Sequence, residues 1–318
     1  MAPTILVAGA TGNTGRGVVE TLPKLLRASK SLSNYRIIAL TRSLISPAAQ
    51  RLAELPGVEV AEQNWVEITP EWLRDHEVVR AFIASHNEPT QFAEESGFYV
   101  AALQAGVKYV VRISTTAANV RPDYPAYYPR NHWAIEALLS SPELSELQWS
   151  SLQANSFQPF VLASAAEFVK EFRSTGKQPD ALKLMAAEDA PVGLIDPEEV
   201  GIFAAHLLAQ DDVSPHNKAR YVVNGPEDIT GRQIVALVEQ AIGEKVNNVV
   251  YKDVSFVDAI YNSNPHHSRN LIMSAKHAQV TAWEGKCTTS TTSKQVLQIA
   301  PPKRTPSETF KALLQKIN

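Results

Sequence analysis

The 318-residue chain has only one cysteine, Cys287, and it lacks several features that would assign it to a class of protein. A single cysteine forms no disulfide within the chain, and the cysteine spacings of zinc and iron–sulfur sites are missing. No run approaches the roughly 20 apolar residues of a membrane helix. The first residues show neither the basic segment nor the cleavage motif of a signal peptide. We therefore expect a cytoplasmic protein with no membrane partner.

The chain also lacks a surplus of basic residues. Thirty lysines and arginines oppose 33 aspartates and glutamates, which gives a net charge of −3. Binding to nucleic-acid phosphates normally needs a clear excess of lysine and arginine, so we expect no nucleic-acid partner. Hydrophobic residues make up 44% of the chain. That share excludes a disordered protein and supplies a core for one large domain, or for a domain with a cap.

Strand-like and helix-like segments alternate through the first half of the sequence. This alternation is typical of a parallel sheet covered by helices on both faces. The six predicted strands span residues 4–8, 36–40, 58–61, 78–83, 109–114 and 147–153, and a later strand begins at residue 220. The pattern predicts an α/β fold, with a Rossmann-type doubly wound parallel sheet and a smaller C-terminal region.

The alternation predicts an interleaved order of domains. Residues 1–155 form the larger domain that contains the sheet, to which the chain returns at about 192–226. Residues 156–191 and 227–318 form the smaller substrate or cap region, and we expect residues 157–190 to be irregular.

The most informative motif is the glycine loop at residues 9–15, GATGNTG, which follows a strand and opens a helix. In a dinucleotide site, Gly9 makes a tight turn, Gly12 lets the backbone approach the pyrophosphate, and Gly15 packs the helix against the sheet. The helix N-terminus supplies unpaired N–H groups. The cofactor-binding residues predicted here are Gly9, Thr11, Gly12, Asn13, Thr14 and Gly15.

Arg42 follows the second strand, where an NAD site normally carries an acidic residue for the ribose 2′-hydroxyl. A guanidinium instead suits a 2′-phosphate, because its rigid set of N–H donors matches phosphate oxygens. We therefore predict NADPH/NADP as the cofactor.

Several motifs together resemble the NmrA-like branch of the atypical short-chain dehydrogenase/reductase superfamily. They lie at residues 7–15, 105–111, 195–201 and 223–227. The resemblance covers nearly the whole chain, and it implies a Rossmann domain for NADP(H) with a small C-terminal substrate region. The family includes redox-sensing regulators with little or no activity. It also includes true reductases, among them fungal alkaloid enzymes that reduce C=N bonds.

Typical members of the superfamily use serine, tyrosine and lysine, with the lysine four residues after the tyrosine. Here Tyr128 has that spacing to His132, which stands in place of the lysine, and Thr115 lies thirteen residues before Tyr128. We take Tyr128, His132 and Thr115 as the catalytic candidates. Pro129 argues against placing Tyr128 inside a helix, since proline pushes the preceding residue toward an extended conformation. Tyr128 is thus either a proton donor or a loop anchor.

His132 has three interpretations at this point: it binds ribose hydroxyls, relays a proton, or only packs at the start of a helix. The further cofactor-binding candidates are Ser114, Ser85, His86, Asn155 and Phe157. Ser85 and His86 follow the fourth strand, at the edge where open α/β sheets bind ligands. The resemblance places Asn155 and Phe157 beside the nicotinamide. We expect no metal site, and we interpret Glu94-Glu95 as a solvated face.

The leading hypothesis is an NADPH-dependent reductase that transfers hydride to a small electrophile. The preferred substrate is a cyclic imine or iminium of secondary (alkaloid) metabolism. The alternatives are a catalytically weak NADP(H)-sensing regulator that binds a protein partner, and a quinone or enone reductase. Assembly as a homodimer is compatible with the sequence.

Overall fold

A seven-stranded parallel sheet forms the centre of the protein, whose computed structural model describes residues 2–315. The strands are β1 (Thr4–Ala8), β2 (Arg36–Thr41), β3 (Val58–Glu62), β4 (Val78–Ile83), β5 (Tyr109–Ile113), β6 (Gln148–Ala154), β7 (Leu182–Leu184), β8 (Ala219–Val223) and β9 (Val249–Tyr251). The large sheet has the order β3-β2-β1-β4-β5-β6-β8, and β7 pairs with β9 in a separate parallel pair. The predicted doubly wound α/β fold is confirmed.

Helices cover the sheet and build the rest of the molecule. They are α1 (Gly15–Ala28), α2 (Pro47–Ala53), α3 (Pro70–Asp75), α4 (Gln91–Ala105), α5 (Tyr127–Leu139), α6 (Gln158–Thr175), α7 (Pro197–Leu208), α8 (Gly231–Ile242), α9 (Phe256–Ser263), α10 (Arg269–Met273), α11 (Val280–Trp283), α12 (Lys294–Ile299) and α13 (Pro306–Gln315). Within residues 2–315, none of these helices has the length and apolar character needed to cross a membrane.

The two faces of the sheet carry separate hydrophobic cores, because side chains of a strand alternate between its faces. Ile5 and Val7 of β1 pack with residues of α1 and α7. Leu6 and Ala8 pack on the other face with residues of α4 and α5. Residues of α6, α8 and the short strands β7 and β9 form a third cluster. Positions 316–318 of the predicted cap, and residue 1 of the predicted Rossmann domain, lie outside the described residues.

Helix α6 is the largest departure from the sequence prediction, since an irregular segment over 157–190 is wrong. The helix has 18 residues, and Pro159 lies in its first turn, where a missing N–H is tolerated. Gly176, with φ of 67°, ends it in the left-handed conformation that favours glycine. Its buried apolar residues recur at helical spacing and are Val161, Leu162, Ala165, Ala166, Phe168 and Val169.

Pro129 also led to a wrong prediction for the start of α5. The expected exclusion of Tyr128 from the helix is wrong, because α5 begins at Tyr127 and contains both Tyr128 and Pro129. Pro129 occupies the first turn, where backbone N–H groups have no partner within the helix. Ala126, just before the helix, takes the extended conformation instead.

Helices α1 and α7 approach each other closely enough that only glycine fits between them. A Cβ added at Gly201 of α7 would collide with the carbonyl oxygen of Thr14, and one at Gly17 of α1 would collide with that of Glu198. Arg16 donates to the Glu198 carboxylate at 3.3 Å across the same contact. The helix that follows the glycine loop is therefore seated directly on a segment almost 190 positions later in the chain.

Candidate active site

A cleft of about 1110 Å³ runs along the carboxyl edge of the large sheet. It spans the point between β1 and β4 where the strand order reverses, the usual ligand site of such sheets. All predicted site residues except Gly15 line it, namely Gly9, Thr11, Gly12, Asn13, Thr14, Arg42, Ser85, His86, Ser114, Thr115, Tyr128, His132, Asn155 and Phe157. The fold thus brings residues from widely separated parts of the chain to one cavity.

The glycine loop turns tightly at one side of this cleft. Gly9 has a φ of 78°, and the Gly12 N–H donates to the Gly9 carbonyl oxygen at 2.9 Å. Gly15 lies behind the loop, where an added Cβ would overlap that same carbonyl oxygen. The first turn of α1 contains no acidic residue, and the Thr14 side chain does not cap the helix. The N-terminus of α1 therefore keeps free N–H groups for an anion such as a pyrophosphate.

Arg42 and Glu62 lie together at the far end of the cleft. Arg42 is exposed and makes no ion pair or hydrogen bond with the rest of residues 2–315. Glu62 accepts a hydrogen bond from the Leu44 N–H at 3.0 Å, which ties the loop after β2 to the end of β3. The guanidinium is therefore available to an external anion, with one carboxylate nearby.

Tyr128, Thr115 and Ser114 meet near the opposite end of the cleft. Burial raises the pKa of the Tyr128 phenol to about 12, although a hydrogen bond with the Thr115 side chain acts in the opposite direction. The Tyr128 phenol therefore keeps its proton near pH 7. The Ser114 hydroxyl is buried and has no partner among the described residues, so it is free to bind a ligand.

His132 is almost completely buried, with 2% of its surface exposed. Its Nδ1 lies 2.8 Å from a terminal guanidinium nitrogen of Arg112, and its Nε2 lies 3.1 Å from Asn87 Oδ1. Burial, and then the charge of Arg112, hold the pKa of His132 well below its usual range. The imidazole is therefore neutral and does not replace the positive charge of a lysine.

Behind His132, the Arg112 guanidinium is paired with Glu95, which is fully buried. Arg112 Nε donates to Glu95 Oε1 at 2.6 Å, and the Tyr99 and Ser85 hydroxyls also donate to that carboxylate. The predicted solvated face at Glu94-Glu95 is therefore wrong for Glu95. The side chain one position away on a helix points about 100° elsewhere, and Glu94 is half-buried against His86.

The loop after β4 is fixed to α4 by two acidic side chains. Ser85 donates to Glu95 at 2.7 Å, and His86 Nε2 lies 2.5 Å from Glu94 Oε2. His86 Nδ1 also accepts from the Glu88 N–H at 3.0 Å. Both predicted cofactor ligands of this loop line the cleft, but their polar atoms already have partners in the protein.

Asn155 is a structural junction as well as a cleft residue. Its Nδ2 lies within hydrogen-bond distance of the Gly193 and Cys287 carbonyl oxygens and of Asn224 Oδ1, at 3.1, 2.9 and 2.8 Å. The side chain thus joins the end of β6 to three later segments. Phe157 precedes α6, and its half-buried ring lines the cleft.

Several lining residues were not predicted from the sequence, among them Trp65 and Gln279. Trp65 follows β3 and Gln279 precedes α11. Trp65 was foreseeable, because the carboxyl end of β3 meets the same edge of the sheet as the end of β2. Gln279 carried no signal, since only tertiary packing brings it to the cleft. Among residues 2–315, no group of three or more His, Cys, Asp or Glu side chains is placed to hold a metal ion.

Comparison with known proteins adds a family context to this geometry. The sequence model of the NmrA-like family matches residues 1–293. The (4-alkanoyl-5-oxo-2,5-dihydrofuran-3-yl)methyl phosphate reductase of Streptomyces griseus subsp. griseus is 26% identical over 239 residues, which cover 75% of this chain and 74% of that protein. The NAD(P)H azoreductase of Xenophilus azovorans is 26% identical over 249 residues, which cover 77% of this chain and 76% of that protein.

A solved structure supports the fold over the full length. The NADPH-dependent quinone oxidoreductase of Escherichia coli, in complex with NADPH, superposes with a TM-score of 0.72 at 21% identity. The superposition covers 97% of this chain and 99% of that one.

Proposed function

This chain belongs to the NmrA-like family, as the sequence motifs predicted, and we propose on that premise that it is an NADPH-dependent reductase. The enzyme transfers hydride from the nicotinamide to a small electrophilic substrate. The substrate class that best suits the site is a cyclic imine or iminium, of the kind found in alkaloid secondary metabolism. This choice rests on the acidity of two side chains. The Tyr128 phenol is a weak acid, and the His132 imidazole is neutral.

The residues present fit NADPH along the cleft. The free N–H groups at the start of α1 suit the pyrophosphate, and the unpaired Arg42 guanidinium suits a 2′-phosphate. Trp65 offers an aromatic surface at the same end as Arg42. At the other end, the buried and unpartnered Ser114 hydroxyl and the Phe157 ring suit the nicotinamide half. When bound, the cofactor supplies the hydride.

The protein offers little acid catalysis at the hydride-accepting end. A carbonyl becomes negatively charged as it accepts hydride and needs a proton donor or an oxyanion site. A raised pKa makes Tyr128 a weak donor, and His132 is neutral. A protonated C=N already carries positive charge and loses it on accepting hydride. Such a substrate therefore needs mainly positioning by the pocket.

The charge of the lining also favours a neutral or cationic substrate. Within the described chain, Arg42 is the only lysine or arginine that lines the cleft, and it lies at the end remote from Tyr128. A phosphate on the substrate would find no cation near the nicotinamide. We therefore propose that phosphate-bearing substrates, such as the one in the name of the Streptomyces relative, are poor substrates here.

A quinone or enone remains the second candidate, because the substrate end has an aromatic wall. Phe160 of α6 is 53% exposed and lines the cleft, and its ring meets Phe256 edge to face at 5.3 Å. Together with Phe157, it offers a surface on which a flat conjugated acceptor would stack. An imine reductase and a quinone or enone reductase would both consume NADPH. The quinone or enone reductase would depend more strongly on a proton donor.

Replacing Tyr128 by phenylalanine is expected to slow imine reduction by about threefold to tenfold, less than the 10²–10⁴ typical of an essential general acid. The measurement is steady-state NADPH consumption, with NADPH affinity determined by calorimetry on the same preparation. Tyr124→Phe is the control, since the Tyr124 hydroxyl donates to the His277 carbonyl oxygen and does not line the cleft. Complete inactivation of Tyr128→Phe with intact cofactor binding would favour a tyrosine-dependent enone or ketone reductase.

The assay that tests the function itself uses the wild-type protein and four kinds of substrate. NADPH consumption is followed with cyclic imines, quinones, enones and phosphate esters in parallel. Turnover of imines alone supports the proposal, while turnover of quinones or enones alone replaces the substrate class. Tight NADPH binding without turnover of any class would indicate the regulator that senses NADP(H) through a protein partner.

Glu62→Gln is expected to tighten NADPH binding about threefold to tenfold and to leave NADH binding within about twofold, because it removes a negative charge beside the site for the 2′-phosphate. Glutamine keeps an acceptor for the Leu44 N–H, so the loop should hold its place. Calorimetry with both cofactors measures the change. Glu59→Gln is the matched control on the same strand, because Glu59 pairs with Arg36 at the surface and does not line the cleft. An equal gain in NADPH affinity for both variants would contradict the assignment.

A further inference from the structure

We infer that Arg112 fixes the proton of His132 on Nε2, and that this tautomer turns the side-chain NH2 group of Asn87 into the cleft as a donor to bound NADPH. The inference rests on the proposed function, because it names a further contact of the same site. Arg112 and His132 are positioning residues in this scheme, and Asn87 is the residue that meets the ligand.

The first step follows from the chemistry of guanidinium. Arginine only donates hydrogen bonds, so the imidazole nitrogen that it contacts must accept through a lone pair. The contact of 2.8 Å joins the guanidinium to His132 Nδ1. Because a neutral imidazole carries one N–H, that proton resides on Nε2.

Arg112 has no freedom to release this contact. Glu95 binds two of its nitrogens, at 2.6 and 3.3 Å, and Ser151 Oγ lies 3.2 Å from the third. Glu136 lies 3.7 Å away, and both carboxylates are buried. A guanidinium held on this many sides presents one fixed nitrogen to His132, so the packing of the core determines the tautomer.

The second step passes from His132 to Asn87. His132 Nε2 lies 3.1 Å from the Asn87 side chain, and an N–H donor requires the amide oxygen there. The amide NH2 is therefore turned away from His132, and it has no hydrogen-bond partner within residues 2–315. Asn87 is exposed and lines the cleft. Its main chain is also held, since the Tyr127 hydroxyl donates to its carbonyl oxygen at 2.6 Å.

The position of Asn87 indicates that the cofactor accepts the hydrogen bond from its amide NH2 group. Asn87 follows β4, which pairs with β1, and the glycine loop follows β1. The amide donor thus lies between the loop that suits the pyrophosphate and the Tyr128 end of the cleft. An oxygen in the nicotinamide half of NADPH is the group that reaches this place.

The same arrangement excludes His132 as a proton relay. A second proton on His132 would have to sit on Nδ1, directly against the Arg112 cation. The titratable and charged groups around the imidazole are Arg112 from β5, Glu95 and Tyr99 from α4, and Tyr128 and Glu136 from α5. The carboxylates contact Arg112 rather than His132, so the Arg112 cation has the largest effect on the protonation of the imidazole. His132 should therefore stay neutral between about pH 6 and 8, the range in which an ordinary histidine titrates.

Nitrogen NMR of the wild-type protein, uniformly labelled with ¹³C and ¹⁵N, tests the tautomer directly. The His132 resonances are assigned through the main chain of the same residue, so no variant is needed. We expect a protonated Nε2 and an unprotonated Nδ1 throughout pH 6 to 8. A proton on Nδ1, or a doubly protonated ring at pH 7, would overturn the inference.

Two variants of Asn87 test the donor. Asn87→Asp keeps an acceptor for His132 but loses the donor, and it should raise the Kd for NADPH about tenfold. Asn87→Ala loses the donor without adding charge and should raise it about threefold to fivefold. Asn270→Asp, an exposed change outside the cleft, controls for net charge. Both Asn87 variants should melt within about 2 °C of wild type, since the residue is exposed.

The outcomes separate this inference from the proposed function. Calorimetric NADPH affinity and the NMR tautomer need no substrate, so both can be decided even if no reductase activity is found. If both Asn87 variants bind NADPH within twofold of wild type, the donor assignment is wrong whatever the turnover. If they weaken NADPH binding as expected while no substrate class is reduced, the inference stands and the reductase proposal fails.

Discussion

Replacing Arg42 by alanine is expected to weaken NADPH binding about 100-fold and to change NADH binding less than about threefold. The loss corresponds to roughly 2.7 kcal/mol, the size of one or two hydrogen bonds to a charged group. Arg42 has no partner among the described residues, so its full set of donors is available to a 2′-phosphate. NADH lacks that phosphate, so its affinity should hardly change.

Calorimetry with the two cofactors provides the measurement, and its salt dependence adds a second readout. The difference between NADPH and NADH should shrink at high salt in the wild type, because an exposed charge pair is screened. Arg51→Ala is the matched control, as Arg51 is exposed on α2 and does not line the cleft. Equal losses for NADPH and NADH in Arg42→Ala would remove the assignment of the 2′-phosphate site.

Glu95→Gln is expected to lower the free energy of unfolding by about 3–5 kcal/mol, the largest effect on stability that we predict. The change leaves the buried Arg112 cation without its main counter-charge, and the single amide oxygen of glutamine replaces only one of the two carboxylate oxygens that accept from the Tyr99 and Ser85 hydroxyls. A buried charge that loses its partner keeps the full cost of its desolvation. The variant would also hold Arg112 less firmly in place beside His132.

Urea unfolding of the full chain without cofactor measures this loss. Glu71→Gln serves as the control, since Glu71 pairs with Arg74 at the surface and its side chain is 70% exposed. A surface pair of this kind contributes about 0–1 kcal/mol. Similar small losses in both variants would mean that the buried pair contributes no more than a surface one.

The sequence predicted the sheet and the lining of the cleft at Gly9 and Arg42, because their signals are local. Each buried strand is a short apolar run, and the loop at Gly9 combines its glycines with a strand before and a helix after. Arg42 was identified as a site residue for the same reason, since it directly follows the last residue of β2. No information from elsewhere in the chain was needed at these places.

The polar network behind His132 was not predictable, because its charges look like ordinary surface residues. Glu95 adjoins Glu94 on a helix, and only the rotation of α4 against the sheet decides which of the two is buried. Arg112 lies within an apolar strand, yet its partner is 17 positions away on α4. Helix α6 was missed for a related reason: Pro159 resembles a break until the first turn of the helix is located.

The glycine contact between α1 and α7 sets the order in which the protein can mature on the ribosome. Helix α1, whose N-terminal N–H groups we propose as the pyrophosphate site, rests on residues 197–208, and the sheet edge is completed only by 219–223. A nascent chain that ends near residue 155 would expose the apolar face of α1 to water. About two thirds of the polypeptide must therefore be synthesised before α1 and the sheet edge reach the packing seen in the complete fold.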